Sequence, residues 1–254
     1  MNLAVDIGNS YTHLAVFSGQ KEVENFNIST NNFDSVSICK KYLKKYSGKI
    51  KSAGISSVVP SKNEFWNSFV AIYLKTKPLF ISNRINLPIK LKIEKTASLG
   101  TDRICNSVFG FEYFKKNENV IVIDFGTANT YDVVLKNADF IGGIIAPGIE
   151  TSSKALNLNT GKLPLLKKSD FKFEKSLIGK NTKDAIRSGL MNYALYATEG
   201  IISSIKKELK KEFKVIITGG NAKKIQNKLS FKTIYIENTV LKGINIILNY
   251  NNLK

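Results

Sequence analysis

Two segments of this chain repeat one another. Asp6-Ile-Gly8-Asn-Ser-Tyr-Thr12 and Asp124-Phe-Gly126-Thr-Ala-Asn-Thr130 share the pattern D-x-G-x-x-x-T, 118 residues apart in a chain of 254. Each begins at the end of a Val/Ile-rich run that reads as a strand, and each leads into a second strand. A single Asp and Gly at a strand end is ordinary turn chemistry. Two copies in register, half a chain apart, point to a duplication. The chain is predicted to form two related α/β halves, residues 1–117 and 118–254, with a cleft between them and the twin turns facing across it.

The rest of the pattern fits that class. Residues 3–7 and 12–17 read as strands around Gly8-Asn9-Ser10, a tight-turn composition. Val36, Cys39, Leu43 and Tyr46 recur at helical spacing, and a β-rich run over 53–59 is stopped by Pro60. A helix with Phe65, Phe69, Ile72 and Tyr73 on its apolar face follows, then strands over 79–81 and 89–93 and a helix from Thr101 to about Lys116. The second half restarts with strands over 120–124, 130–135 and 140–145. Residues 157–180 are polar and irregular, so they are expected to form a long loop. A helix over 182–213 leads to a strand at 215–218 ending in Gly219-Gly220, and two helical patterns flank Ile234–Ile236.

Composition excludes several classes. Apolar residues make up 43% and charged residues 23%, ordinary for a globular protein. No apolar run approaches the roughly 20 residues that span a bilayer, and the alternating N-terminus does not read as a signal peptide. Cys39 and Cys105 are the only cysteines, and their isolation argues against a disulfide framework or a zinc site. A cytoplasmic protein without a membrane partner is expected. The net charge of +18 rests on lysines spread along the chain, with only three arginines, Arg84, Arg103 and Arg187. A dedicated nucleic-acid reader would use more arginine for bidentate contacts, so a solvated lysine-rich surface is expected and a nucleic-acid partner is not.

The turns can carry phosphate chemistry. A strand, a glycine turn and a returning strand bring backbone N–H groups close to a ligand, because no Cβ blocks the approach. A carboxylate at the strand end, Asp6 or Asp124, can hold Mg²⁺ or its waters against phosphates. Thr218-Gly219-Gly220-Asn221 offers a third strand-to-glycine-to-helix junction, on which an adenosine moiety can lie flat. Ser98-Leu-Gly100-Thr101-Asp102-Arg103 opens a helix with Thr101 as its expected N-cap. Asp102 suits the first turn, whereas Arg103 opposes the helix dipole there. An acid beside a guanidinium can accept a hydroxyl proton while the guanidinium holds an anionic group. Asn181-Thr182 precedes the long helix, and one of the two is expected to cap it. His13, the only histidine, lies on a strand without a Cys or acid at ligand spacing and reads as structural.

In this order, Asp6-x-Gly8-Asn9-Ser10, Gly100-Thr-Asp102-Arg103, Asp124-Phe-Gly126-Thr127-Ala128, Gly142-Gly143-x-Ile145-x-Pro147-Gly148, Gly179-x-x-Thr182, Thr218-Gly219-Gly220 and Val240-Leu-Lys-Gly243 resemble the type III pantothenate kinases over nearly the whole chain. The resemblance implies a duplicated ribonuclease-H-like fold of the actin-like ATPase superfamily, two lobes with a nucleotide cleft, and ATP-dependent phosphorylation of pantothenate, the first step of coenzyme A synthesis. It implies ATP contacts from Asp6, Ile7, Gly8, Asn9, Ser10, Tyr11, Thr12, His13 and Thr127. It implies pantothenate contacts from Gly100, Thr101, Asp102, Arg103 and Thr182, with Asp102 as proton acceptor. It assigns a monovalent cation, K⁺ or NH₄⁺, to Asp124, adds Mg²⁺, and makes the protein a homodimer. Arg103 would pair with the substrate's anionic end or with the dimer partner. Ile93-Glu-Lys95-Thr96-Ala97 departs from the aromatic and Asn-Pro common there, and Asn129 stands where threonine is common. The rival reading is a transcriptional regulator like the Bvg accessory factors, without kinase activity; intact Asp6, Asp102, Arg103 and Asp124 favour the enzyme.

Overall fold

Leu3, Val5 and Ile7 point to one side of the opening strand and Ala4 to the other, and both sides are buried. That two-sided burial calls for helices on both faces of a sheet. The computed structural model describes residues 1–30 and 36–252, apart from the side chain of Val36. In chain order its elements are β1 (Asn2–Ile7), β2 (Tyr11–Ser18), β3 (Lys21–Ser29), α1 (Val36–Leu43), β4 (Ser52–Ser57), α2 (Asn63–Tyr73), β5 (Pro78–Phe80), β6 (Lys90–Leu91), α3 (Thr101–Tyr113), β7 (Val120–Phe125), β8 (Ala128–Val134) and β9 (Asp139–Pro147). Then come α4 (Ile149–Asn159), α5 (Thr182–Leu209), β10 (Lys214–Thr218), α6 (Ala222–Gln226), β11 (Ile234–Tyr235) and α7 (Thr239–Asn252). Contacts group these into two compact units. One holds Met1–Asn117, Val134–Gly142 and the segment from Asn238 onward; the other holds Glu118–Val133 and Gly143–Glu237.

The first sheet runs β3-β2-β1-β4-β5, with β1, β2 and β3 antiparallel and β4 and β5 parallel to β1. The second runs β11-β10-β7-β8-β9, with β6 added beside β9, and β10 lies parallel to β7 and to β11. Read from the hairpin edge, β9-β8-β7-β10-β11 repeats β3-β2-β1-β4-β5. The duplication seen in two seven-residue motifs is thus a duplication of whole sheets. In the first sheet α1 and α2 cover one face through Cys39, Leu43, Trp66, Phe69 and Val70. Helices α3 and α7 cover the other through Ile104, Cys105, Val108, Leu241 and Ile244. In the second unit, Val120, Ile121, Val122 and Ile123 are fully buried in succession, as a central parallel strand requires.

Several local expectations need correction. On α2 the buried face is Trp66, Phe69 and Val70, while Ile72 is 79% exposed. Phe65 and Tyr73 pack partly against that core. Trp66 decides the rotation of the helix, because its area is the larger one to bury. The stretch read as loop from 157 begins inside α4, so the irregular segment is 160–181 with a short 3-10 turn at Lys168–Asp170. The edge strand β3 went unread: Lys21-Glu-Val-Glu-Asn-Phe-Asn-Ile alternates exposed and half-buried positions with weak β formers. The third strand of the second half runs on to Pro147, and the long helix stops at Leu209, where Lys210 takes left-handed dihedrals. No helix among the described residues is long and apolar enough to cross a membrane.

Candidate active site

In the first unit the site is built on the register of β1. Asp6 pairs with His13 on β2 and with Ser56 on β4, so the three side chains share one face of the sheet. It is the face that α3 covers. The Thr101 Oγ1 lies 2.9 Å from Ser56 Oγ and accepts from the Ser57 backbone N–H at 3.0 Å. Thr101 is therefore not the cap of α3: Gly100 holds the N-cap position, and the threonine hydroxyl fastens the first turn to the end of β4. Gly100 leaves room there for an acidic side chain. A Cβ would run into the Asp102 carboxylate, which folds back to accept the Arg103 backbone N–H at 2.8 Å. Arg103 lies over the Phe140 ring at 5.9 Å.

Burial pushes the Asp102 carboxyl above the ordinary carboxylate range, against the lowering effect of the Arg103 N–H and guanidinium. Burial likewise lowers the proton affinity of the His13 imidazole. Cys105, one turn further along α3, is fully buried. Its thiol is raised well above normal by burial first, then by the charges of Asp6 and Asp102. The Thr101–Ser56 contact brings the first turn of α3, which carries Asp102, to the strand residue paired with Asp6, although 96 residues separate Asp6 from Asp102. The turn itself closes with the Gly8 N–H donating to Tyr11 O at 3.0 Å, and Asn9, Ser10 and Tyr11 are exposed. Ile7 and Thr12 are buried behind it, and Thr30 locks it by donating to Gly8 O at 2.8 Å. Ser56, Ser57 and Thr30 went unnoticed in the sequence. The signal was there for the serines, two hydroxyls closing an otherwise apolar strand.

The second unit repeats the scheme with tighter packing. Asp124, next to last on β7, pairs with Thr218 of β10, as Asp6, next to last on β1, pairs with Ser56. Its turn is a residue shorter, Gly126 N–H donating to Ala128 O at 3.1 Å. Gly219, at φ +92°, sits so close that a Cβ would strike the Asp124 carboxylate and the Phe125 backbone. Gly148 crowds the carbonyls of Gly126 and Thr127 in the same way. Thr127 O accepts from the Gly148 N–H at 3.1 Å and from the Thr151 hydroxyl at 2.6 Å, and Asn221 N–H donates to Phe125 O at 3.2 Å. Three motifs that are scattered in sequence, around Asp124, Gly148 and Gly219, thus form one cluster. Thr182 stands elsewhere in this unit, exposed at the start of α5. Asn181 is the cap, accepting from the Asp184 N–H at 2.9 Å, and Gly179 packs against the backbone of Asp184 and Ala185.

A hard cation needs oxygen ligands and keeps several waters, so one or two carboxylates with nearby carbonyls suffice. Asp124, half-buried where Gly126 and Gly219 pack on it, offers one such carboxylate, and Asp6 offers another at the matching place on β1. Among the described residues no group of three or more His, Cys, Asp or Glu stands together.

Comparison with known proteins bears on family and fold. A family model described as type III pantothenate kinase matches residues 2–204. A protein named type III pantothenate kinase from Sulfurihydrogenibium sp. is 34% identical, covering 98% of this chain and all of that one. Another of that name, from Petrotoga mobilis, is 36% identical over 96% of each chain. Among solved structures, one described as a conserved Baf family transcriptional activator from Campylobacter jejuni has a TM-score of 0.58 at 19% identity, covering 99% of this chain and 100% of that one. The Alp12 filament structure has a TM-score of 0.51 at 10% identity, covering 99% of each. Likenesses at such identities speak for the fold, the duplicated ribonuclease-H-like fold of the actin-like ATPases, and not for a regulatory role. The regulator reading is not favoured, because the relatives above 30% identity carry the kinase name. The chain belongs to the type III pantothenate kinase family.

Proposed function

We propose that this protein uses ATP to phosphorylate the primary hydroxyl of pantothenate, the entry reaction of coenzyme A synthesis. The observation that carries the reading is the placement of Asp102: a carboxylate fixed in the first turn of α3 beside an arginine, in a turn that Thr101 ties to Ser56, the strand neighbour of Asp6. Phosphoryl transfer asks the protein mainly for alignment and charge neutralisation. Asp102 orients the acceptor hydroxyl and takes its proton, and Arg103, Gly100, Thr101 and Thr182 hold the rest of pantothenate. The turn from Asp6 to His13 and Thr127 hold ATP. Asp6 suits a water-bridged Mg²⁺ that offsets phosphate charge, and Asp124 a bound K⁺ or NH₄⁺. Free, buried Cys39 and Cys105 suit the reducing cytoplasm, where we place the protein.

The decisive test is ATP consumption with pantothenate as sole acceptor, in potassium buffer. Turnover that needs pantothenate supports the reading; none in K⁺ or NH₄⁺, with ATP and Mg²⁺ present, ends it. Replacing K⁺ with Na⁺ tests the cation separately, with lower rates in Na⁺ expected and equal rates counting against a role for Asp124 there.

We also propose a homodimer. On α5, Gly189, Tyr193, Tyr196 and Gly200 fall at four-, three- and four-residue spacing and so share one helix face. The two tyrosines are 60% and 54% exposed, and a Cβ at either glycine would meet nothing. Small residues flanking exposed aromatics suit the close approach of a second copy.

A further inference from the structure

The junction after β10 carries charge that the scheme above does not use. The Lys168 ammonium lies 4.0 Å from the position a Cβ on Gly220 would take. The Lys224 ammonium donates to Asn221 Oδ1 at 3.2 Å and to Lys168 O at 3.4 Å, and lies 5.7 Å from the centre of the Phe171 ring. Among the described residues neither lysine has a salt-bridge partner, whereas Lys183 and Lys223 nearby in sequence do. Lys224 is half-buried, and its proton affinity is lowered by burial first and then by the charge of Lys168. Glu150, in the first turn of α4, is the one carboxylate that opposes this. The positive charge of Lys168 thus acts on Lys224 with only Glu150 opposing it, at the cost of mutual repulsion. Their position matters: Gly219 packs on Asp124, and Asn221 is tied to Phe125. The pair is at the same sheet end as the Gly126–Thr127 turn.

We propose that Lys168 and Lys224 form a cationic clamp that receives the phosphate chain of the nucleotide. This rests on the kinase reading and adds two ligand-binding residues to it. A polyphosphate is the anion that fits, because it carries several charges along its length and can face two ammonium groups at once. Phe171 shields Lys224 from water on one side, which strengthens the attraction. Lys168 comes from the irregular segment 160–181, so bound phosphate would also tie that segment to the junction.

The test is calorimetric titration of the full chain with ATP, adenosine and inorganic tripolyphosphate, comparing wild type with Lys168→Gln and Lys224→Gln. Each substitution is expected to weaken ATP by about tenfold, the size of a lost charge-assisted hydrogen bond. Tripolyphosphate should weaken in parallel and adenosine should stay within twofold. Lys168 is exposed with no side-chain hydrogen bond among the described residues, so its variant keeps the fold even if Lys224→Gln does not. Unchanged ATP affinity in Lys168→Gln overturns the clamp, as does equal weakening of ATP and adenosine. Failure of the kinase reading looks different: wild type would then show no pantothenate-dependent ATP consumption, whatever the lysine variants do.

Discussion

Asp102 is the residue where structure and chemistry pull against each other. Its carboxyl is raised by burial, so between the ordinary carboxylate value and the raised one the folded protein keeps a proton that the unfolded chain has lost. Stability therefore falls as pH rises through that window, and at neutral pH the ionised group is a burden to the fold. Asp102→Asn removes the burden and, on the proposed mechanism, the base with it. Turnover is expected to drop about 10²-fold or more, while the melting temperature at pH 7 stays equal or rises; near-normal turnover would take Asp102 out of the proton-acceptor role. The wild-type rate should also fall on acidification at a higher pH than an unperturbed carboxylate would give, measured as a pH profile of kcat. At this scale the sequence was readable where a residue type is rare or strained. The lone pair Asp102-Arg103 and the glycines of the two turns announced themselves. The hydroxyl bridge from Thr101 to Ser56 did not, since it depends on a strand and a helix 45 residues apart meeting at one point.

Among the elements, those with strong periodicity or a solid apolar run were legible, and those shaped by neighbours were not. β7 and β10 show themselves by unbroken Val/Ile runs. β3 hides because an edge strand needs only half a face buried, and α4 hides because it buries only Ile149 and Ser153 fully. The end of α5 was overrun for a specific reason: no glycine marks it. Lys210 takes the left-handed conformation, φ 51° and ψ 44°, that glycine would adopt without strain. Lys210→Gly should accordingly stabilise the protein by about 1 kcal/mol, read from urea unfolding. A loss of stability would mean that the lysine side chain contributes more than its backbone costs. At the other end Asn181 and Gly179 fix the start of the helix, and Lys183 with Asp170 at 2.8 Å and Arg187 with Glu174 at 2.6 Å bind the preceding irregular segment to it.

For the whole molecule, assembly is the first question. If the tyrosine face of α5 joins two copies, light scattering will give about twice the mass of one 28.3 kDa chain. Tyr193→Glu combined with Tyr196→Glu should return the monomer, because two carboxylates in an apolar contact are costly to desolvate. A wild type that is monomeric at micromolar concentration ends that proposal. The duplication was legible from two short motifs because a tight glycine turn at a strand end tolerates few residues. The path of the chain was not, since periodicity says nothing about which sheet a helix joins. That path has a consequence for biogenesis. Helix α7 completes the first unit, its Gly243 set against the Cys105 backbone closely enough to exclude any side chain. On a ribosome, residues 1–117 emerge early, yet one face of their sheet is only part-covered, by α3, until residue 239 and its successors have been translated. The earliest-made unit is thus the last to be sealed, and a nascent chain stalled at residue 237 would hold Ile104 and Val108 open to chaperones.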